Sequence, residues 1–228
     1  MDTTADAVNV SPLTALVDVM RNTPGCREYL DAPVSDEVLH AVLDHARFAP
    51  SGGNRQGWRV VVVRNAETKR ALRDLYRRPW RDYVEKHYGA WETMAPERRK
   101  QVAAANDMAD TLHKVPVHLA VWVDLSVIAV TDANAGRPSV VAGGSIFPFV
   151  QNIQLAARAA GLGTRITTLL SMEEARVRAL LGAPEGFALA ALLLVGWPKR
   201  LPRRLSRRPV ESFTSMENFD GPALTSGN

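Results

Sequence analysis

The stretch from Arg47 to Arg64 constrains this chain more than any other, because it joins two regular elements through a loop that neither can absorb. Apolar residues at helical spacing precede it and predict an amphipathic helix that ends near Ala46. Val60 to Val63 follow it and predict a buried strand. Between them, the segment Pro-Ser-Gly-Gly-Asn at 50–54 fits neither element, since proline fixes one backbone angle and the glycines permit positive φ. The sequence therefore predicts a polar loop between a helix and a strand.

This loop offers hydrogen-bonding groups but no acid–base chemistry. Its side chains include the hydroxyl of Ser51 and the carboxamides of Asn54 and Gln56, and Gly52 and its neighbours add backbone amides. It contains no acid, thiol or histidine. Such a loop suits a polar, planar ligand, and an ordinary helix–strand turn is the alternative.

The composition is typical of a globular chain, with 46% apolar and 23% charged residues. A length of 228 residues allows one sizeable core, so we predict a single domain over residues 1–228. No apolar run reaches the roughly 20 residues of a membrane helix, and no signal-peptide pattern opens the sequence. The single cysteine, Cys26, cannot form an intramolecular disulfide, so we expect a cytoplasmic protein without a membrane partner.

Positive charge is concentrated near the C-terminus. The net charge is +4, and six cations fall in one segment: Lys199, Arg200, Arg203, Arg204, Arg207 and Arg208. Such a segment can bind a polyanion, an acidic protein surface or a phosphate monoester. Residues 77–114 also mix arginines with aromatics, which could stack on nucleic acid, but no nucleic-acid-binding motif accompanies them. We favour helices folded over a pocket, and keep a basic nucleic-acid-associated protein as the alternative.

The first helix is predicted to open at Ser11-Pro12, where a hydroxyl cap precedes proline. Its expected buried stripe comprises Leu13, Leu16, Val17 and Met20. The loop that follows carries the guanidiniums of Arg21 and Arg27 and the short polar side chains of Asn22 and Thr23. Phosphate recognition needs such a combination, and a solvated helix end is the alternative.

The rest of the chain alternates between helical and strand patterns. We predict a short helix over Thr68–Tyr76, a buried strand over 115–124, a helix from about Phe147 to Ala160, and an apolar central strand from Phe187 to Trp197. Residues 126–140 show no period and predict a surface excursion. Ser171 with Glu174 predicts a capping box for a helix that ends at Gly182.

Three of these motifs resemble the nitroreductase-like flavoprotein family. A-P-S-G-G-N-R-Q-G-W at 49–58 is similar to the family's A-P-S-x-x-N-x-Q-P-W, with Gly57 in place of proline. The segment Gln151–Thr164 is similar to Q-N-L-x-L-A-A-x-x-x-G-L-G-T. The segment Arg21–Tyr29 resembles R-x-S-x-[RK]-x-F, with a spacing two residues longer.

The resemblance implies an α+β fold in which helices surround a central mixed β-sheet. It also implies a homodimer, in which a C-terminal extension, residues 198–228, embraces the partner subunit. FMN would be the cofactor, NAD(P)H the hydride donor, and a nitroaromatic, quinone or similar small molecule the acceptor. Residues 77–114 would then form a lid over the acceptor. Reductive dehalogenation, flavin fragmentation and deazaflavin-dependent reduction are alternatives within the same fold.

The residues that the resemblance assigns to FMN fall into four segments. They are Arg21, Asn22, Thr23, Arg27, Pro50, Ser51, Gly52, Asn54, Gln56, Thr167, Thr168, Leu169, Arg207 and Arg208. The cations would hold the phosphate, and Thr167–Leu169 would run along the flavin ring. We predict no catalytic acid or base and no metal ligand, because in such an enzyme the cofactor carries the chemistry.

Overall fold

The computed structural model of the chain describes residues 16–201 and 205–226. The predicted helix start at Ser11-Pro12, and also Leu13, Arg203 and Arg204, lie outside the described residues. The helices are α1 (Leu16–Arg21), α2 (Asp36–Ala46), α3 (Ala66–Tyr88), α4 (Pro96–Thr111), α5 (Phe147–Ala159) and α6 (Glu174–Leu181). The strands are β1 (Glu28–Tyr29), β2 (Trp58–Val63), β3 (Val117–Asp124), β4 (Gly163–Thr167), β5 (Phe187–Gly196) and β6 (Pro198–Arg200).

Four strands form the central sheet in the order β2-β3-β5-β4, and each neighbouring pair is antiparallel. β1 and β6 form a small antiparallel pair beside it, and an isolated parallel bridge joins Gly25 to Thr164. The predicted central position of the most apolar strand is confirmed, since β5 lies between β3 and β4. The α+β class is likewise confirmed.

Alternating side chains of the sheet build a core on each face, as the two-residue period of a strand requires. Leu119 and Val121 of β3 face α2 and α5. Ala120 and Trp122, on the other face, pack in a second cluster with Leu72 of α3. Helices therefore cover the sheet on both sides.

Helix α5 matches its prediction closely, and its end shows why. Gly161 adopts φ +84°, and the Leu162 amide donates to the Ala157 carbonyl at 2.8 Å. The Gly161 amide donates to the Arg158 carbonyl at 3.0 Å, which completes a Schellman motif. Few residues other than glycine accept this left-handed conformation, so the end of the helix could be placed from the sequence.

Two helix ends were predicted wrongly from the sequence. The predicted short helix over Thr68–Tyr76 continues to Tyr88 with Pro79 inside it, because contacts with α4 hold the later turns in place. In those contacts Trp80 Nε1 donates to Asn106 Oδ1 at 2.7 Å, and Arg77 Nε donates to Asp110 Oδ1 at 2.9 Å. Tertiary packing therefore outweighs the cost of an internal proline.

The capping box at Ser171 is also wrong. Ser171 lies inside a 3₁₀ turn, Leu169–Glu173, and its hydroxyl donates to the Thr168 carbonyl at 2.7 Å. Helix α6 begins at Glu174, the last residue of the predicted box, and its N-cap residue, Glu173, makes no side-chain capping bond. Glu174 instead accepts from the Leu189 amide of β5 at 2.8 Å, so the helix is tied to the sheet.

Two predicted buried surfaces are exposed in the single chain. Leu16, Val17 and Met20 of α1 are 63%, 56% and 56% exposed, whereas Val19 is buried. β2 is an edge strand, and Val62 within it is 40% exposed. The periodicity of these apolar residues predicted that they are buried, but it does not indicate which element covers them.

No helix within the described ranges combines the length and apolar character needed to cross a membrane.

Candidate functional site

The loop between α2 and β2 is built around left-handed backbone conformations. Gly53, Asn54 and Gln56 have φ values of +61°, +53° and +49°. Ser51 Oγ accepts from the Gln56 amide at 3.0 Å, and Gln56 Nε2 donates to Asn54 Oδ1 at 3.2 Å. Non-glycine residues adopt positive φ at a cost, so these bonds hold the loop in one shape.

The loop is anchored at the beginning of α5. The Gly52 amide donates to Ser145 Oγ at 3.0 Å, and Ser145 lies just before α5. A Cβ on Gly57 would lie 2.5 Å from Val127 Cγ2, which belongs to the excursion at 126–140. A side chain at position 57, where the family pattern has proline, would therefore require Val127 to shift. We call Pro50, Ser51, Gly52, Asn54 and Gln56 the loop group.

The predicted phosphate residues at the end of α1 divide into two kinds. Asn22 Nδ2 donates to the Asp18 carbonyl at 2.8 Å, and Thr23 Oγ1 donates to the Val19 carbonyl at 2.5 Å. These side chains therefore satisfy the last carbonyls of α1, as helix ends require. Arg21 and Arg27 are exposed, and neither has an ion pair in the part of the chain that the structure describes.

This segment is fixed against α5 and β4. Arg158, near the end of α5, donates through Nε to the Asn22 carbonyl at 2.8 Å. The Cys26 amide donates to the Thr164 carbonyl at 2.8 Å, beside the parallel bridge from Gly25. The guanidiniums of Arg21 and Arg27 are thus carried by a loop tied to the start of β4. We call Arg21, Asn22, Thr23 and Arg27 the cation group.

Thr167 to Leu169 lies at the other end of β4. Thr167 is the last strand residue, Thr168 is exposed, and Leu169 begins the 3₁₀ turn. Thr167 Oγ1 accepts from the Leu169 amide at 3.4 Å and lies 3.4 Å from the hydroxyl of Tyr76 on α3. The segment is therefore the end of an edge strand followed by a turn.

Arg165 is a candidate site residue that the sequence analysis missed. It stands two positions before Thr167, on the same face of β4, and its Nη1 is buried with no hydrogen-bond partner among the described residues. Burial is the main cause that lowers the pKa of Arg165, and Arg27, Tyr29 and Tyr76 are close enough to act on it electrostatically. The alternation of side chains in residues 163–167 was the available signal, because it puts residues 165 and 167 on one face.

The C-terminal segment is not brought to either group. Arg207 and Arg208 are exposed, and Arg207 Nη1 donates to the neighbouring Ser206 carbonyl at 2.8 Å. Phe213 and Phe219 are 61% and 97% exposed. Within residues 205–226, the hydrogen bonds join tail residues to one another. In a single chain this segment leaves its apolar side chains in solvent.

The loop group and the cation group lie at opposite ends of α5. The loop group bonds to Ser145 before the helix, and the cation group bonds to Arg158 in its last turn. Thirteen residues separate these ends, which corresponds to about 20 Å at 1.5 Å per residue. The loop also leads into β2 and the cation group adjoins β4, the two edges of the sheet. One chain therefore does not bring the two groups together.

The chemistry of both groups is that of binding, not of proton transfer. They offer amides, hydroxyls, carboxamides and guanidiniums. Nearby Cys26 is buried, and burial raises the pKa of its thiol to about 11, so it remains protonated near neutral pH. Among residues 16–201 and 205–226, no cluster of histidine, cysteine, aspartate and glutamate is placed to hold a metal ion.

The chain belongs to the nitroreductase family, whose sequence model matches residues 21–197. An NADH dehydrogenase of Thermus thermophilus is 32% identical over 81% of this chain and 87% of its own length. A 5,6-dimethylbenzimidazole synthase of Rhodospirillum rubrum is 30% identical over 76% of this chain and 77% of its own. The fold also matches the crystal structure of a nitroreductase with bound FMN from Desulfitobacterium hafniense. That match has a TM-score of 0.62 and 22% identity over 90% of this chain and all of the other. Family and fold are therefore those that the sequence motifs predicted.

Proposed function

We propose that this protein is an FMN-dependent oxidoreductase that passes hydride from NAD(P)H to a small acceptor, such as a nitroaromatic or a quinone, in a ping-pong reaction. The observation that carries the proposal is the composition of the loop group and the cation group. They offer hydrogen-bond donors and guanidiniums that form no ion pair among the described residues, and they contain no carboxylate and no reactive thiol. When bound, FMN supplies the hydride chemistry. The protein would then bind FMN and orient it relative to the hydride donor and the acceptor.

The described residues fit FMN in their chemistry. Arg21 and Arg27 offer charge for a phosphate, and the buried Nη1 of Arg165 lacks the acceptor that a bound anion or carbonyl would supply. The loop group offers amides and carboxamides in a preformed conformation that suits the polar edge of a planar ring. Arg207 and Arg208 remain candidates for the phosphate contact from the C-terminal segment.

The separation of the two groups supports a homodimer. FMN that contacts both of them requires the loop group of one chain and the cation group of another. The single chain also leaves apolar surface for such contact: Leu16, Ala156 and Ala159 line a groove of about 470 Å³ between α1, α2 and α5. Small residues permit close approach of a second copy. We propose that this surface and the C-terminal segment are covered by the partner subunit.

Residues 77–114 are proposed to cover the acceptor. Tyr76 contacts Thr167, and along α3 its ring stacks with Trp80, with centroids 6.3 Å apart. Trp80 and Trp91 line a cavity of about 520 Å³ between α3 and α4. Aromatic walls one helical turn from the proposed flavin segment suit an aromatic acceptor.

A second candidate is another flavin chemistry on the same fold, such as flavin fragmentation. The observation that favours it is the 30% identity to the dimethylbenzimidazole synthase, nearly equal to that of the NADH dehydrogenase. Turnover of NADH and NADPH with and without a nitroaromatic or a quinone separates the two candidates. The cytoplasmic location and the single-domain organisation stay predictions from the sequence.

The first test is the visible absorption spectrum of the purified protein before and after it is mixed with FMN and desalted. We expect two flavin bands to remain with the protein. The Arg21→Ala variant should retain less FMN while its far-ultraviolet circular dichroism is unchanged. A wild-type protein that remains colourless after exposure to FMN would contradict the proposed function.

Two substitutions at Asn54 separate its ligand contact from its backbone conformation. Because Asn54 has φ +53°, Asn54→Gly keeps the loop conformation, whereas Asn54→Ala adds about 1 kcal/mol of strain. We expect both variants to release FMN faster than the wild type, and only Asn54→Ala to be less stable in urea unfolding. A wild-type flavin off-rate in Asn54→Gly would rule out the carboxamide contact.

A further inference from the structure

A cavity of about 280 Å³ opens between β1, β6 and the turn that precedes β3. Three of its lining residues are cations, and they come from distant parts of the chain: Arg27, Lys114 and Lys199. Tyr29 and Thr111 also line it, and their hydroxyls donate to backbone carbonyls: Tyr29 to Cys26 at 3.3 Å and Thr111 to Asp107 at 2.6 Å. Since no single element carries this charge, the fold itself assembles the cluster. We call it the basic cavity.

The positive charge of the basic cavity is not neutralised by its own acid. Glu28 is the acidic residue of the lining, and its Oε1 accepts from Arg200 Nη2 at 2.9 Å. Within residues 16–201 and 205–226, no carboxylate lies within ion-pairing distance of Arg27, Lys114 or Lys199. Among the described residues these three cations therefore keep their charge at the wall of one cavity, an arrangement that an anion would stabilise.

A further cation, Arg165, lies close to the basic cavity. Tyr29 lines the basic cavity and lies near Arg165, which also acts electrostatically on Arg27. Arg165 Nη1 is buried and has no acceptor among the described residues. This nitrogen loses its hydration without a hydrogen bond in exchange. An anion bound at Arg27 would offset part of this cost.

The basic cavity differs from the phosphate site that the sequence predicts. Arg21, Asn22 and Thr23 do not line it, and the side chains of Asn22 and Thr23 donate to carbonyls of α1. Only Arg27 belongs to both. The side chains that distinguish the basic cavity are Lys114 and Lys199, to which neither motif nor family pattern assigned a role.

We propose that the basic cavity binds a phosphate monoester through Arg27, Lys114 and Lys199. A phosphate monoester dianion offers three non-bridging oxygen atoms to three cationic donors, and charge-assisted bonds of this kind are the strong ones. The proposal rests on the proposed function, which offers two such groups: the phosphate of FMN and the 2′-phosphate of NADPH. Both present the same chemistry, so the experiment must distinguish them.

The test compares a Lys114→Gln/Lys199→Gln variant with a matched control, Lys86→Gln/Lys100→Gln. Both double variants lose two positive charges, but Lys86 and Lys100 are exposed and do not line the basic cavity. The probe is inorganic phosphate at pH 7.5, with sodium chloride used to hold ionic strength constant, and the readout is the thermal midpoint by circular dichroism. We expect phosphate to raise the midpoint of the wild type and the control, with about tenfold weaker half-saturation in the cavity variant. An equal response in all three proteins, or none in the wild type, would overturn the proposal.

Two ratios then identify the source of the phosphate. If the cavity variant loses its preference for FMN over riboflavin, the cavity holds the cofactor's phosphate. If that preference is kept and the ratio of KM for NADPH to KM for NADH rises, the cavity holds the donor's 2′-phosphate. Two unchanged ratios would contradict a role in the reaction. If the protein responds to phosphate but takes up no FMN, the phosphate site is supported and the proposed function is contradicted. The failure of one proposal can thus be distinguished from the failure of the other.

Discussion

Mixing two defective variants is expected to restore FMN binding that neither retains alone. One variant, Arg21→Ala/Arg27→Ala, lacks the guanidiniums of the cation group. The other, Asn54→Gly/Gln56→Gly, lacks the carboxamides of the loop group but keeps its positive-φ backbone. In the proposed dimer each site takes one group from each chain, so a mixed dimer contains one intact site and one site with both defects. We expect each variant alone to bind FMN at least about tenfold more weakly than the wild type.

The mixed dimer is obtained by coexpressing the two variants with different affinity tags and purifying through both tags. The measurement is the ratio of bound flavin to protein after desalting. Dimers of the cation-group variant that carry both tags are the control, because every site in them is defective. If the mixed dimer binds no more flavin than this control, both groups belong to one chain's site, or the site does not need them. Either result would contradict the dimeric site.

Acidification from pH 7 to pH 4 is expected to lower the free energy of unfolding by about 3 kcal/mol through one residue, His118. His118 lies in β3, is fully buried, and donates through Nε2 to the Leu112 carbonyl at 2.9 Å. Burial lowers its pKa to about 4, and the nearby charge of Lys69 acts in the same direction. Lys69 cannot move away easily, because its Nζ donates to the Val115 carbonyl at 2.8 Å.

The direction of the effect follows from which state binds the proton. In the unfolded chain histidine has its ordinary pKa of about 6.5, so between pH 6.5 and 4 the unfolded state is protonated while the folded state is not. The folded state therefore loses stability as the pH falls through this window, and the loss levels off below the folded pKa. Urea unfolding at pH 7, 5.5 and 4, followed by circular dichroism, measures it.

His118→Gln is the matched control for this prediction. Glutamine can still donate to the Leu112 carbonyl but has no proton to gain in this range. We expect the variant to be less stable than the wild type at pH 7 and to lose about 3 kcal/mol less on acidification. If the two proteins show the same pH dependence, the histidine does not cause it.

The parts of the fold that could be predicted from the sequence are those fixed by local physics. Pro50 and the paired glycines marked the loop, Gly161 marked the end of α5, and the unbroken apolar run of β5 marked the central strand. In each case a residue type has few conformations or environments available to it. The position of the loop could therefore be predicted, whereas the positive φ of Asn54 and Gln56 was not.

What could not be predicted depends on contacts between distant segments. The continuation of α3 past Pro79 requires Asn106 and Asp110 of α4. The alternation in β4 could have indicated Arg165 but not its burial near Tyr29 and Tyr76, and no pattern indicated that Lys114 and Lys199 line one cavity. Contacts between distant residues leave no period or motif in the sequence. The loops of the candidate site could therefore be predicted, whereas Arg165 and the basic cavity were missed.

The length of α5 limits where insertions and deletions can be accepted in this sequence. The helix is a spacer between two anchored ends, at Ser145 and at Arg158. One inserted residue would lengthen it by about 1.5 Å and turn its far end by about 100°, which would swing the cation group away from β4. An insertion or deletion in α5 therefore displaces one of its anchored ends, which a substitution does not. Changes in length are better tolerated in the exposed stretch 133–140 of the excursion.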